Sequence, residues 1–258
     1  MKKTALITGA SSGIGEEFAK IHAERGGDLV IVARSIGKLN ALKTTLEEKH
    51  NISVLVIEKD LSQANAAKEV YEEVIQAKIK IDYLINNAGF GGMGKFYERS
   101  VQEDLAMISL NVLALTELTH YFLVDFVKRN EGKILNVSST ASLMAGPGQA
   151  VYFATKAYVT SFSNAIAAEL HNKKVTVSNL MPGATDSNFG ERSGMDNTVM
   201  FSKTASARVV AKQGYNGMLR GKLNVLAGLD FTQKIAIGMV KFVPRKIMLL
   251  MVRKLQKG

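Results

Sequence analysis

Tyr152 and Lys156 stand four residues apart, and Ser139 lies thirteen residues before the tyrosine. On one helix, an i, i+4 spacing sets an ammonium beside a phenol. A free phenol ionises at about pH 10, and a neighbouring cation lowers that value by favouring the phenolate. A serine hydroxyl aimed at the same point would donate to an oxygen on which negative charge develops. Together the three residues would form a proton-delivery unit for a carbonyl or an alcohol. The tyrosine–lysine spacing by itself equally fits a solvated helix face, so its chemistry depends on its neighbours. Ser138 is a rival for the serine role.

The elements that would position such a unit begin at the N-terminus. The apolar run Ala5–Ile7 passes directly into Thr8, Gly9, Ala10, Ser11, Ser12, Gly13, Ile14 and Gly15, and a helix is expected from Glu16 to about Arg25, closed by Gly26 and Gly27. A strand, a glycine turn and a helix in this order form a phosphate cradle, because glycine admits close backbone approach and the helix N-terminus offers free amides. The spacing is Gly-x-x-x-Gly-x-Gly, which a purely structural turn could also show. A second apolar run ends at Ala33, and Arg34 and Ser35 follow where an acid would grip a ribose 2′-hydroxyl. Arg34 instead suits a 2′-phosphate, with Ser11, Ser12 and Ser35 as added hydroxyl donors. NADP(H) is therefore expected in preference to NAD(H), although a surface cation would look the same. Asp60 and Leu61 follow a third run. Asp60 either accepts from an adenine amino group or caps the next helix. Asn86, Asn87, Ala88 and Gly89 follow a fourth run, where small residues pass close to a ligand and an asparagine can brace adjacent strands.

Seven short apolar runs alternate with helix-like stretches: 5–7, 29–33, 54–57, 83–85, 133–137, 175–180 and 224–227. Runs of this kind suggest strands buried on both faces of a parallel sheet with right-handed crossovers. No linker divides the 258 residues, so residues 1–230 are expected to form a single α/β domain, with a substrate lid at about 188–220. Gly190 and Gly194 suit a mobile lid. Phe90, Met93, Met144, Phe189, Met195 and Met200 would give the pocket an apolar lining, or simply belong to the core.

The chain has no cysteine, which excludes disulfides and thiolate chemistry and fits a reducing compartment. The four histidines, His22, His50, His120 and His171, lack metal-ligand spacing, so no metal is expected. The short apolar run after Lys2 and Lys3 reads as a strand, not a signal peptide. No segment looks long and uncharged enough to span a membrane. Net charge is +10, but after Asp230 there is no acid and there are seven bases among many apolar residues. Residues 231–258 thus form a basic, apolar tail. Such a segment lies at an anionic membrane surface or packs on the lid or a partner subunit. This distribution argues against nucleic-acid binding, which would place the bases on the folded body. A cytoplasmic location is expected, membrane-peripheral if the tail binds lipid.

Thr8, Gly9, Gly13, Gly15, Asp60, Asn86 to Gly89, Asn111, Ser139, Tyr152, Lys156, Pro182 and Gly183 together resemble the short-chain dehydrogenase/reductase family in its single-domain form. The resemblance implies a Rossmann-like, doubly wound parallel sheet of about seven strands with helices on both faces. It also implies hydride transfer between a nicotinamide and a carbonyl or alcohol. Tyr152 would be the proton donor, Ser139 the oxygen ligand, and Lys156 the group that tunes the tyrosine and holds the nicotinamide ribose. Asn111 would hold a water linking Lys156 to solvent, or serve only in helix–helix hydrogen bonding. The cofactor contacts implied are Gly9, Ser11, Ser12, Gly13, Ile14, Gly15, Arg34, Ser35, Asp60, Leu61, Asn87, Ala88, Gly89, Tyr152, Lys156, Pro182, Gly183, Thr185 and Ser187. Ser12 stands where NADP-preferring relatives often carry a base, which leaves Arg34 as the main determinant. A homodimer or homotetramer is implied as well. The competing reading, a non-catalytic NADP-binding regulator on the same fold, typically lacks the tyrosine or the lysine.

Overall fold

The computed structural model describes residues 2–195, 198, 201 and 203–256. All seven apolar runs are strands of one sheet: β1 (Thr4–Thr8), β2 (Asp28–Ala33), β3 (Val54–Glu58), β4 (Tyr83–Asn86), β5 (Gly132–Val137), β6 (Val175–Pro182) and, after a short parallel pair β7 (Thr185–Asp186) and β8 (Ala205–Ser206), β9 (Asn224–Ala227). The sheet order is β3-β2-β1-β4-β5-β6-β9, parallel throughout. The order reverses between β1 and β4, and ligands of open α/β sheets bind outside the strand carboxyl ends at such a switch point.

Helices cover both faces because successive strand side chains point to opposite sides. On one side Ala5, Ile7, Leu29 and Ile31 pack with Phe18 of α1 (Gly13–Ala23), Leu39 and Leu42 of α2 (Ile36–His50), and later helices. On the other, Leu6, Val30 and Leu84 meet Val70 and Val74 of α3 (Ala66–Gln76) and a long helical run. That run comprises α4 (Val101–Ile108), a π-helical stretch Ser109–Ala114 and α5 (Leu115–Arg129). Taken end to end, Val101–Arg129 is long and apolar enough to cross a membrane, contrary to the expectation from sequence. Part of its apolarity is core-facing, with Leu118, Phe122 and Phe126 buried against the sheet, while Val101, Leu105, Leu113 and Val124 are exposed.

His22 has an ordinary packing role. Its Nε2 donates to the Lys3 carbonyl at 3.0 Å, which leaves Nδ1 to accept from the Tyr215 hydroxyl at 2.6 Å. Burial lowers its pKa, so the ring is neutral and ties α1 to β1. Among the described residues, no group of His, Asp or Glu could hold a metal.

The stretch expected as a lid divides in two. Residues 189–193 form the short helix α7 (Phe189–Ser193), whereas Ala207–Leu219 form α8, part of the core. A Cβ on Gly214 would lie 2.7 Å from Leu180, and one on Gly217 would lie 2.4 Å from Val225, so α8 sits directly on the sheet. Residues 207–219 are therefore core and not a lid. Met200 lies outside the described residues.

After α6 (Ala150–Glu169), described below, the remaining helices are α9 (Phe231–Met239) and α10 (Arg245–Leu255) in the tail. Asp230 and Gln233 close a reciprocal capping box that starts α9. No residue of α9 is buried, and Phe231 and Phe242 are 76% and 67% exposed. In α10 only Val252 is buried, packed in a small cluster with Met107, Ala141, Tyr152 and Phe153.

Candidate active site

Loops at the carboxyl ends of β1 to β6 converge on one cleft. The turn after β1 is shaped by two positive backbone angles, φ +68° at Gly9 and +57° at Gly13. A Cβ on Gly15 would fall 2.2 Å from the Gly9 carbonyl oxygen, so Gly15 lets α1 begin against the turn without itself lining the cleft. Ser12 precedes α1 but makes no side-chain cap. The first amides of α1 are thus left free to bind an anion. Gly9, Ser11, Ser12, Gly13 and Ile14 line this end.

Thr8 organises the opposite wall. Its hydroxyl accepts from the amides of Asn87 and Ala88 at 3.0 and 2.9 Å, while Asn87 donates back to the Thr8 carbonyl at 2.9 Å. Asn86 braces the interior, donating to Thr119 and to Asn136 of β5. Asn87, Ala88 and Gly89 consequently present backbone to the cleft.

Arg34 and Ser35 lie at the rim, with Asp60 and Leu61 beside them. Arg34 is 3.8 Å from Asp60 and more than half exposed, so its fork retains free donors. Asp60 also accepts from the amide and hydroxyl of Ser62 at 3.0 and 2.7 Å, and therefore both lines the cleft and caps the next turn. Burial raises its pKa, but the Ser62 hydrogen bonds and the charge of Arg34 outweigh this and hold it low. Lys59 also lines the rim, a residue the sequence did not single out. The strand alternation gave no reason to pick it, and its ammonium is paired with Glu69 at 2.8 Å.

The reactive cluster sits deeper. Ser138 and Ser139 both line the cleft, but their hydroxyls are engaged differently. The Ser138 hydroxyl is buried, donating to the Lys156 carbonyl at 2.8 Å and bonded to Thr160. Ser139 faces the cleft, and its oxygen accepts from the Ala141 amide at 3.1 Å. Tyr152 and Lys156 occupy one face of α6, with the Lys156 Nζ 5.9 Å from the tyrosine ring centroid. That Nζ donates to the Val137 carbonyl at 2.9 Å. Burial pushes the Tyr152 phenol up to about 12, with the Ser139 hydroxyl pulling the other way. Burial pushes Lys156 down to about 8. The simple expectation that lysine lowers the tyrosine pKa is thus not met by the protein groups alone: desolvation of both residues dominates.

Asn111 lies in the π-helical stretch and does not reach the cleft. Its amide donates to the Phe90 carbonyl at 2.9 Å and to Thr155 at 3.1 Å, and its oxygen accepts from the Phe90 amide at 3.1 Å. The Asn111 side chain is therefore engaged with protein, tying the loop after β4 to α6. A Cβ on Gly89 would lie 3.0 Å from Asn111 Oδ1 and 3.3 Å from Lys156 Nζ, so glycine lets these three meet.

Pro182, Gly183, Thr185 and Ser187 form the far wall. Thr185 donates to the Gly183 carbonyl at 2.9 Å. Of the apolar lining expected, Phe90, Phe189 and Met195 line the cleft, and Met144 packs with the Tyr152 cluster. Met93 lies beyond, facing Gly194.

A switch-point cleft with free helix amides at one end and a Ser–Tyr–Lys cluster at the other defines a dinucleotide-linked oxidoreductase of the doubly wound class. Comparison with known proteins specifies it further. Residues 3–197 match the family model described as short chain dehydrogenase. The chain is 32% identical over 221 residues to an NADP-dependent 3-hydroxy acid dehydrogenase of Schizosaccharomyces pombe, covering 81% of this chain and 84% of that one. It is 31% identical over 231 residues to 11-beta-hydroxysteroid dehydrogenase-like 2 of Arabidopsis thaliana, covering 87% and 73%. A short-chain dehydrogenase from Sphingobium yanoikuyae, solved in complex with NADPH, superposes with a TM-score of 0.83 at 29% identity, covering 94% and 96%. The protein belongs to the short-chain dehydrogenase/reductase family, and is an oxidoreductase acting on hydroxyl and carbonyl groups.

Proposed function

We propose that the protein is an NADP(H)-dependent reductase of an apolar ketone or keto-acyl compound, with Tyr152 as proton donor. The observation that carries this is the meeting of Ser139, Tyr152 and Lys156 under a partly apolar wall, in the cleft whose rim holds Arg34 and no acid at the end of β2. The intact cluster speaks against a non-catalytic regulator. The free α1 amides, the glycine turn and Arg34 fit a dinucleotide carrying a 2′-phosphate, and the relatives named as NADP-dependent or solved with NADPH support that choice.

When bound, the nicotinamide supplies the hydride. The remaining work falls to the chain's own residues. Ser139 donates to the substrate oxygen as negative charge develops there. The Tyr152 hydroxyl delivers the proton to that oxygen, and its pKa of about 12 keeps it a phenol at neutral pH. Lys156 carries positive charge below about pH 8 and favours the tyrosinate that results. Phe90 and Phe189 exclude water and fit an apolar substituent.

A panel of ketones, keto-acyl thioesters and aldehydes, assayed with NADPH and with NADH, tests this reading. Turnover with NADPH should exceed that with NADH about tenfold or more, the worth of one charge-assisted contact to phosphate. No oxidation of either cofactor across the panel would remove the reductase reading.

The same proposal places the protein in the cytoplasm as a homodimer or homotetramer, with the tail touching anionic membrane. Support comes from Phe231, Ile235, Met239 and Phe242, all at least half exposed, on a segment without acids. Full-length protein should sediment with phosphatidylserine vesicles at low salt. Lys234, Lys241 and Lys246 changed together to Glu should abolish this, since each base near such a surface contributes about 1 kcal/mol. Equal sedimentation of both proteins would count against the membrane contact. The substitutions are preferable to truncation at Asp230, because Val252 packs into the Tyr152 cluster.

A further inference from the structure

Arg99, in the loop between β4 and α4, forms a largely covered ion pair with Asp104 of α4 that the chemistry at Tyr152 does not use. Arg99 and Asp104 are 12% and 5% exposed, and Arg99 Nε donates to Asp104 Oδ1 at 2.8 Å. A second nitrogen, Nη1, donates to the Met93 carbonyl at 3.0 Å, and Nη2 lies 3.5 Å from Glu103. The guanidinium lies flat on the backbone of Gly92, where a Cβ would fall 2.3 Å from Nη2. Its stem covers Gly94, which sits at φ +139°. The Gly94 amide in turn donates to the Gly148 carbonyl at 2.9 Å, just ahead of α6.

The segment held in this way backs the reaction site: Phe90 lines the cleft, and residues 91–94 follow behind it. A Cβ on Gly91 would lie 3.3 Å from the Tyr152 ring and 2.9 Å from the ring of Phe189. The backbone at Gly91 therefore stands directly against the proton donor and against α7. Asn111 fixes the loop at Phe90, and among the described residues the hydrogen bonds that hold residues 91–94 run through Arg99 and the Gly94 amide. An arginine buried over two glycines, spending one arm on an acid and another on a carbonyl, is costly to desolvate unless both partners are kept. Its fork can hold the two at once, which a lysine point charge cannot do in that geometry.

We propose that Arg99 is a positioning residue that clamps residues 91–94 behind Phe90 and Tyr152 and so holds Tyr152 and Phe189 in place along the substrate slot. The clamp decides how firmly a bulky ketone is held against Phe90 and Phe189, whereas a small ketone depends less on those two rings. This inference rests on the carbonyl-reductase reading above.

The test uses full-length protein with a small aliphatic and a bulky two-ring ketone, and three variants. Arg99→Lys keeps the ion pair with Asp104 but loses the second arm to Met93. Arg99→Met removes both. Arg99→Met with Asp104→Leu removes the charges together, a change that buried pairs often tolerate without loss of stability. KM for the bulky ketone should rise about tenfold in Arg99→Lys and in the double variant, the effect of one charged hydrogen bond. KM for the small ketone, kcat and the NADPH dissociation constant should stay as in the wild type. Hydrogen exchange at the Gly94 amide should quicken in the same variants, which reads the clamp without turnover. Wild-type kinetics in the double variant would overturn the clamp, as would full rescue by lysine, equal losses on both ketones, or unchanged exchange at Gly94. If exchange responds while the wild type reduces neither ketone, the reductase reading fails and the structural clamp stands.

Discussion

Replacing Tyr152 by phenylalanine should lower kcat by about 10²- to 10⁴-fold, the usual contribution of a positioned general acid. The ring packs against Phe189 at a centroid distance of 5.4 Å and against Phe153 at 6.1 Å, and phenylalanine preserves both contacts. Thermal stability and NADPH binding should therefore change little, and cofactor fluorescence titration separates binding from turnover. A variant that keeps more than a tenth of the wild-type kcat would sink the proton-donor assignment. The pH profile supplies an independent check. In the reducing direction the tyrosine must begin protonated, and with a pKa of about 12 it does so throughout the neutral range. Lys156 must be charged to favour the tyrosinate, and burial sets its pKa at about 8. Activity should hold below that value and fall as the pH rises through it. A limb near pH 8 that persists unchanged in a Lys156→Met variant with residual activity would belong to another group.

The second large effect is expected at the rim. Arg34→Asp should reverse the cofactor preference, because it removes a forked cation and puts a carboxylate where a 2′-phosphate would lie. Loss of one charge-assisted contact is worth about 1.5–3 kcal/mol, or roughly 10- to 100-fold in NADPH affinity, before repulsion is added. NADH affinity should rise at the same time, since an acid at the end of β2 can accept from the ribose hydroxyls. Asp60 must be considered beside it. In the wild type it lies 3.8 Å from Arg34 and holds its charge well down the pH scale. The substitution leaves two carboxylates at the rim, so an Arg34→Ala control isolates the lost contact from the added repulsion. Isothermal titration with both cofactors measures each. If NADPH binds Arg34→Asp as well as it binds the wild type, the 2′-phosphate contact lies elsewhere on the rim, with Lys59 the first residue to examine.

The strands were legible in the sequence because a doubly covered parallel sheet needs continuous apolar runs, and each run from Ala5–Ile7 to Asn224–Ala227 is one. The glycine turn and the chemistry-bearing residues were legible for a related reason. They are local constraints: Gly9 and Gly13 need positive φ, and Tyr152 and Lys156 share a helix face through i, i+4 spacing. What spacing could not supply was direction and depth. Ser138 and Ser139 are adjacent, and only the course of the chain after β5 turns one inward to Thr160 and the other to the cleft. Asn111 could be placed near the site but not assigned its partners, because the π-helical widening that carries it depends on packing against α6. The span drawn for the lid reached into α8, whose glycines Gly214 and Gly217 mark close packing on the sheet. The tail was read as a basic, apolar segment lying on a membrane, the lid or a partner subunit, and its anchoring by Val252 beside Phe153 emerged only from the fold.

The sequence by itself thus determined the sheet, the glycine turn after β1 and which residues are candidates for the chemistry, since each follows from local sterics or from periodicity along the chain. The tertiary structure alone decided the state of those residues. Burial moves Tyr152 and Lys156 toward neutrality by amounts that no spacing predicts, because desolvation depends on every element packed around a group. It likewise brought Arg99 over Gly92 and the loop against Tyr152, a contact between segments that share no periodicity.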